Sequence, residues 1–264
     1  MRKVIKYKLY FLLSNRFLTI FIPFLFILLN YTAVVNSGIL SSGGSDFNAE
    51  LKYQLILNNY LVMISFFGLF ASIYIGSSII GPDILSGNLS IILTSYPSRI
   101  RYYLGTYLTT LLYMLTVQTL LLLNVLIIFF IFDVAFLWSE VFMCYIQILL
   151  NSTVALSITG LASIYIKGHG SALIGLIGYA FFNIYTFNQI PFINTTFSTD
   201  FTVYRNILVN FFPMTDIYAP SYTEAWIIEL HKATPILPNM IVYQLLYALF
   251  FVGIGCLCFK KKDI

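Results

Sequence analysis

The chain has 264 residues, of which 59% are hydrophobic and 9% are charged, and its formal net charge is +4. Soluble domains carry about 25% charged residues, so this composition excludes an ordinary soluble domain and indicates one integral membrane domain, 1–264. The basic residues lie beside apolar runs and form no single patch, which argues against a nucleic-acid partner.

Residues 1–16 predict an interfacial helix on an anionic membrane surface, because they contain five basic residues and no acid. The predicted apolar face consists of Ile5, Leu9, Leu12 and Leu13. The face is imperfect, since Arg2 and Arg16 fall on or near it. A cleaved signal peptide is the alternative, and the absence of an A-x-A-like site after the apolar run disfavours it.

Six apolar runs follow, each long enough for a helix to cross a bilayer. They lie at 17–36, 55–81, 103–132, 137–166, 171–190 and 239–259. Their alternation defines inner segments at 1–16, 82–102, 167–170 and 260–264, which hold 11 of the 14 Lys and Arg residues. Basic residues favour the cytoplasmic side of short loops, so both termini are predicted to be cytoplasmic.

The outer segment 191–238 is the longest connection, and it is predicted to contain two short helices. Phe201–Met214 is mostly apolar, and 222–232 predicts a helix around Trp226. Such elements either dip into the outer leaflet or cap a cavity. An ordinary extracellular loop is an equally good interpretation.

The spans contain no ionisable residue in their middles, which disfavours a self-powered secondary transporter. Gly76–Gly81 has the glycine spacing of a P-loop, but Pro82 and Asp83 follow where Lys and Ser/Thr are needed. With two His and no catalytic constellation, the chain is predicted to be no enzyme and to hold no metal or cofactor of its own.

Uncharged polar residues within or at the ends of the spans form a candidate translocation path. These are Asn58, Asn59, Asn151, Ser152 and Asn183. The alternative is that each bonds a neighbouring helix, an interaction worth about 0.6 kcal/mol in membranes, and for any single residue that alternative is favoured.

The inner segment 82–102 interrupts the apolar runs and predicts a short cytoplasmic helix. Pro82 breaks the preceding helix, and Asp83 suits the N-terminus of the next one. Leu85, Leu89, Ile92 and Leu93 recur at helical spacing, giving an apolar face for lipid or a partner. Pro97 is predicted to end this helix, with Arg99 and Arg101 at the headgroups. The alternative is a plain cytoplasmic turn.

This segment and the six-span topology resemble the membrane subunit of ABC-2-type exporters. In the family's inner loop an acid, a Gly-Thr pair, a Leu, a second acid, Ser-Pro and a Ser/Arg pair follow one another. The matching residues are Asp83 for the first acid, Gly87, Leu89, Leu93, Ser95, Ser98, Arg99 and the later Gly105. The departures are Asn88, Ser90, Thr106 and Pro97, which is displaced by one residue. The ending Phe259–Ile264 is also similar to the family's basic-acidic C-terminus.

The resemblance implies an all-α permease of six transmembrane helices in a bacterial cell membrane, with both termini cytoplasmic. It implies a cytoplasmic coupling helix that contacts a separate ABC ATPase through Asp83, Gly87, Leu89, Leu93, Ser95, Pro97 and Arg99. Two ATPase copies would hold ATP and Mg²⁺, and a second or homologous permease would complete the path for a peptide, drug-like or lipid-like substrate. The alternative function is a non-transporting membrane scaffold or immunity protein that binds its ligand.

Overall fold

The computed structural model describes residues 2–42, 68–94, 98–133, 135–166, 169–182, 218–222, 228–232 and 237–261. Most of these residues are helical, and two short strands pair with each other. The helices are α1 (Arg2–Leu13), α2 (Arg16–Ser42), α3 (68–77), α4 (Gly81–Leu85), α5 (Asn88–Thr94), α6 (Arg99–Ile131), α7 (Trp138–Tyr165), α8 (His169–Phe182) and α9 (Leu237–Lys261). The strands β1 (Tyr218–Tyr222) and β2 (Ile228–Lys232) precede α9 and pair antiparallel.

Four helical stretches are long and apolar enough to cross a membrane, which makes the chain a membrane-embedded helical protein. They are Gly68–Leu85, Arg99–Ile131, Val141–Tyr165 and Gln244–Lys261. A fifth is formed if Val4–Leu13 and Arg16–Tyr31 count as one span, although the two parts are bent by 62°. The described part of α8 has 14 residues, fewer than the roughly 20 that a bilayer requires. The six-span topology therefore stays a prediction, although a described helix overlaps each predicted run.

Helix α6 is the longest, with 33 residues and thus a length of about 50 Å. It begins four residues before the predicted start of its span because Ser98 caps it: the Ser98 hydroxyl accepts a hydrogen bond from the Arg101 backbone N–H at 3.5 Å. The end of the bundle where α6 begins and α9 ends is called the basic end, since it carries exposed Arg101, Lys260 and Lys261.

Helix α7 lies at the centre and packs against α6, α8 and α9. Close approach to α3 is possible because Gly76 has no side chain. A Cβ on Gly76 would lie 2.8 Å from the Cβ of Thr159 and 3.0 Å from the carbonyl oxygen of Leu156.

The two largest apolar cores among the described residues lie at opposite ends of α6. One lies towards the C-terminal end of α6 and includes Leu25, Val125 and Phe129. The other lies at the basic end and joins α1, α2, α3, α5, α6, α7 and α9. Its buried members include Leu12, Ile79, Leu89, Tyr102, Tyr103, Leu156 and Phe259.

Two sequence predictions are wrong in detail. The helix predicted for 222–232 is replaced at both of its described ends by strands, which alternate residues between two faces of a hairpin. The inner segment contains two short helices instead of one, because Gly87 has φ +69° and separates α4 from α5. The buried face of α1 consists of Val4, Lys8 and Leu12. Of the apolar face predicted to lie on the membrane surface, Leu9 and Leu13 are exposed and only Leu12 is buried in the bundle.

Candidate functional site

Helix α4 is a separate element from α3 because residues 78–80 between them form a tight turn. Ser78 and Ile79 donate backbone hydrogen bonds to carbonyls only three residues earlier, at 3.0 and 3.1 Å, which tightens the helix end. Pro82 lies in the first turn of α4, where its missing N–H costs nothing. The Ser86 N–H then bonds the Pro82 carbonyl at 3.0 Å and closes the turn.

Asp83 points inward from α4 and is 1% exposed. Its Oδ2 accepts hydrogen bonds from the Tyr102 hydroxyl at 2.7 Å and from the Lys8 Nζ at 3.3 Å. Its Oδ1 accepts one from the Tyr7 hydroxyl at 3.2 Å. Three donors from α1 and α6 thus surround one carboxylate, and this group of Tyr7, Lys8, Asp83 and Tyr102 is called the Asp83 centre.

The Asp83 centre contains a buried ion pair, since Lys8 is 0% exposed. Burial lowers the pKa of Lys8 from its ordinary value, and this effect exceeds the opposing effect of the Asp83 charge. The pKa of Tyr7 is raised, first by burial and then by Asp83. Removal of one partner from such a pair typically costs about 3–5 kcal/mol, because the other charge is left buried and uncompensated.

The Asp83 centre also contacts α9. The rings of Tyr102 and Phe259 stack with centroids 6.3 Å apart, and Phe259 lies 6.0 Å from the ring of Tyr103. A single carboxylate in the inner segment is therefore connected to α1, α6 and the last turns of α9.

The tip of the inner segment is formed by Leu85, Ser86 and Gly87, all of which are exposed. Leu85 is 57% exposed, and a Cβ on Gly87 would meet nothing within 4 Å. The tip is therefore the accessible part of α4, while the carboxylate of Asp83 is hidden behind it.

Helix α5 turns its apolar face to the protein's own core. Leu89 is buried, and Ile92 and Leu93 pack half-buried against the same cluster. The sequence prediction of a face free for lipid or a partner is therefore wrong for these residues, whose burial fixes α5 to the bundle. Ser95 and Pro97 lie outside the described residues.

Both basic residues that follow lie in the first turn of α6. Arg99 is half-buried and Arg101 is exposed. Residues 99–102, which the sequence analysis assigns to the end of the inner segment, are therefore part of α6.

The two described path residues bond α7 to its neighbours. The Gln244 amide donates to Asn151 Oδ1 at 3.4 Å, and the Gln118 amide donates to Ser152 Oγ at 3.4 Å. Asn151 and Ser152 are both buried, so these side chains join α9, α7 and α6 at one level. Asn58, Asn59 and Asn183 lie outside the described residues.

Tyr7, Lys8 and Tyr102 were missed as site residues by the sequence analysis. A signal was present in α1, where Lys8 occupies the same helical face as Val4 and Leu12 at four-residue spacing. A lysine in an otherwise apolar row indicates a buried partner, but nothing local identifies that partner as Asp83.

Within the described ranges, no group of three or more His, Cys, Asp or Glu side chains could hold a metal ion. In comparisons with known proteins, no protein-family model matches this chain, and no curated protein matches it significantly.

Proposed function

We propose that this protein is the permease subunit of an ABC-2-type exporter. In this proposal six helices cross the cell membrane of a bacterium with the basic end in the cytoplasm. Two permeases, identical or related, form the path, and each is driven by a separate ATPase that holds ATP and Mg²⁺. The exported substrate belongs to the peptide, drug-like or lipid-like classes.

The observation that supports the proposal is the construction of the inner segment. Buried Asp83 and Leu89 fix α4 and α5 to the bundle, while Leu85 at the tip stays exposed. A rigid projection on a fixed base can transmit a push from a partner to α1, α6 and α9, which all contact the Asp83 centre directly or through Phe259.

The same geometry gives different roles to the residues that match the inner loop of the ABC-2 family. Asp83 holds the segment from inside, Leu89 and Leu93 anchor α5, and Gly87 forms the turn. In the proposal the ATPase contacts the tip at Leu85–Gly87, and the resemblance extends that contact to Ser95, Pro97 and Arg99.

One observation favours the alternative function, a membrane scaffold or immunity protein that binds its ligand without moving it. Asn151 and Ser152 are engaged in bonds between helices, so the two described path candidates hold the bundle together. A protein with fixed helices needs such bonds, whereas a path needs polar groups that face a cavity.

Affinity purification from the native host in a mild detergent tests the proposal against this alternative. Export predicts a co-purifying P-loop ATPase at one copy per permease, with ATP turnover that depends on the permease. Recovery of the chain without any ATPase would contradict export and support the scaffold.

A further inference from the structure

The position of Lys8 is unusual for a lysine on an interfacial helix. Such a side chain normally extends its ammonium group to water or headgroups, as the exposure of Lys6 on the same helix shows. Lys8 instead lies between Val4 and Leu12 on the face of α1 that packs against α6. Its ammonium group lies 5.0 Å from the centroid of the Phe11 ring. Within the described residues its ion-pair partner is Asp83.

Helix α1 is attached to α2 through residues 14–15, and the start of α2 has hydrogen bonds of its own besides those to α1. The Asn15 side chain accepts hydrogen bonds from the backbone N–H groups of Phe17 and Leu18, at 3.0 and 3.4 Å, and so caps α2. The Asn15 amide also donates to the Tyr74 hydroxyl of α3 at 3.3 Å. The start of α2 thus stays fixed even if α1 rotates about residues 14–15, where the chain bends by 62°.

The outward face of α1 suits a lipid surface. Leu9, Tyr10 and Leu13 are exposed there, with Tyr10 at 74%. An apolar and aromatic face beside basic residues is typical of helices that lie in the membrane interface. Helix α1 therefore has one face that fits the bundle and another that fits lipid.

We propose that Lys8 and Asp83 form a latch that holds α1 in a docked position against α4 and α6. When Lys8 loses its anionic partner, its ammonium group leaves the interior, and α1 swings about residues 14–15 onto the membrane surface. This proposal stands on the geometry of α1 and is independent of the proposed exporter function.

The desolvation of Lys8 supports a latch that is poised to open. Burial lowers the pKa of Lys8, while the charge of Asp83 opposes this effect, so the interior disfavours the charged lysine and the contact with Asp83 is what favours it there. An unpaired ammonium group is much better solvated among headgroups than in the core.

Cysteine accessibility in proteoliposomes tests the latch without any ATPase. The parent carries Cys144→Ala, Cys256→Ala, Cys258→Ala and the single probe Val4→Cys, a near-isosteric change at a position that is 2% exposed. The labelling rate with a neutral maleimide is normalised to that of a Leu9→Cys probe, which is exposed in the docked helix.

Labelling of the parent is expected to be slow. Asp83→Asn keeps the shape of the side chain but removes the charge, so labelling should rise at least tenfold while the protein stays monodisperse. Adding Lys8→Met to Asp83→Asn should restore slow labelling, because methionine fills the same space and needs no partner. Lys6→Met is the matched control and should change nothing.

Two results would overturn the latch. One is an Asp83→Asn variant that does not release α1 from a folded protein. Its Val4→Cys labelling rate would then lie within twofold of the parent, or the protein would unfold, whereas a latch releases α1 without unfolding α6 and α7. The other is fast labelling of the double variant, which would show that Asp83 acts through its tyrosines and not through Lys8.

Discussion

The Nζ of Lys8 lies 3.3 Å from the Oδ2 of Asp83, although 75 positions separate the two residues in the sequence. This contact fixes the N-terminal helix to the segment between two membrane-capable helices. At the basic end Lys6, Lys260 and Lys261 are exposed. The buried position of Lys8 therefore reflects its partner and not a general property of this surface.

The pH dependence of α1 docking follows from the lowered pKa of Lys8. In the undocked helix Lys8 has an ordinary pKa near 10.5, so below that pH the undocked state binds more protons than the docked state. Docking therefore tightens as the pH rises from the lowered pKa of Lys8 towards 10.5. The normalised labelling of Val4→Cys should fall over this range, and the Lys8→Met variant should show no such trend.

Tyr7 must be separated from this effect. Among the groups that face Lys8, Asp83 on α4 is anionic, and Tyr7 on α1 and Tyr102 on α6 are phenols. The raised pKa of Tyr7 gives a contribution to docking that is lost as the pH rises above 10.0. The measurement is therefore made in a Tyr7→Phe background. If the labelling of Val4→Cys normalised to that of Leu9→Cys rises with pH there, the assignment of the pH dependence to Lys8 is contradicted.

The contact between α3 and α7 predicts a large difference between two glycine substitutions. Gly76→Ala would place a Cβ 2.8 Å from Thr159, and the resulting overpacking should lower the free energy of unfolding by about 1–3 kcal/mol. Gly253→Ala on α9 meets nothing within 4 Å and should raise stability by up to about 1 kcal/mol, the helix-propensity difference. Equilibrium unfolding in mixed micelles checks both changes, and equal effects would show that α3 and α7 do not pack this closely.

Ser152 is expected to contribute to packing and not to a substrate path. Ser152→Ala removes the 3.4 Å hydrogen bond from Gln118, which should cost about 0.6 kcal/mol of stability. Substrate-dependent ATP turnover should remain within twofold of the parent. A larger loss of turnover at unchanged stability would show that Ser152 belongs to a translocation path after all.

The sequence predicts well what depends on local patterns. The apolar runs at 103–132 and 137–166 correspond to α6 and α7 within a few residues. A long apolar stretch in a membrane forms a helix because its backbone polar groups must bond to one another in lipid. Pro82 and Asp83 likewise identify the start of a new element.

The predictions that are wrong or missing concern contacts between residues that are far apart in the sequence. Leu89 has the spacing of a surface helix face, and only the fold brings it against Tyr102 and Ile79. The role of Lys8 requires knowledge that α1 folds back onto α4 and α6. The strand pair at Tyr218–Tyr222 and Ile228–Lys232 has mixed polar and apolar residues, with Pro220 inside the first strand, so its pattern favours no single structure.

The contact of the tip with an ATPase is the central claim, and a matched pair of substitutions tests it most directly. Leu85 at the tip and Leu137, the residue just before α7, are each 57% exposed. Each is changed to Asp, and the ATPase that co-purifies with each variant and its ATP turnover are measured. The proposal predicts at least a tenfold loss of both for Leu85→Asp, about 1.4 kcal/mol of binding free energy, and no change for Leu137→Asp. Parent-like ATPase recovery and turnover with Leu85→Asp would contradict it.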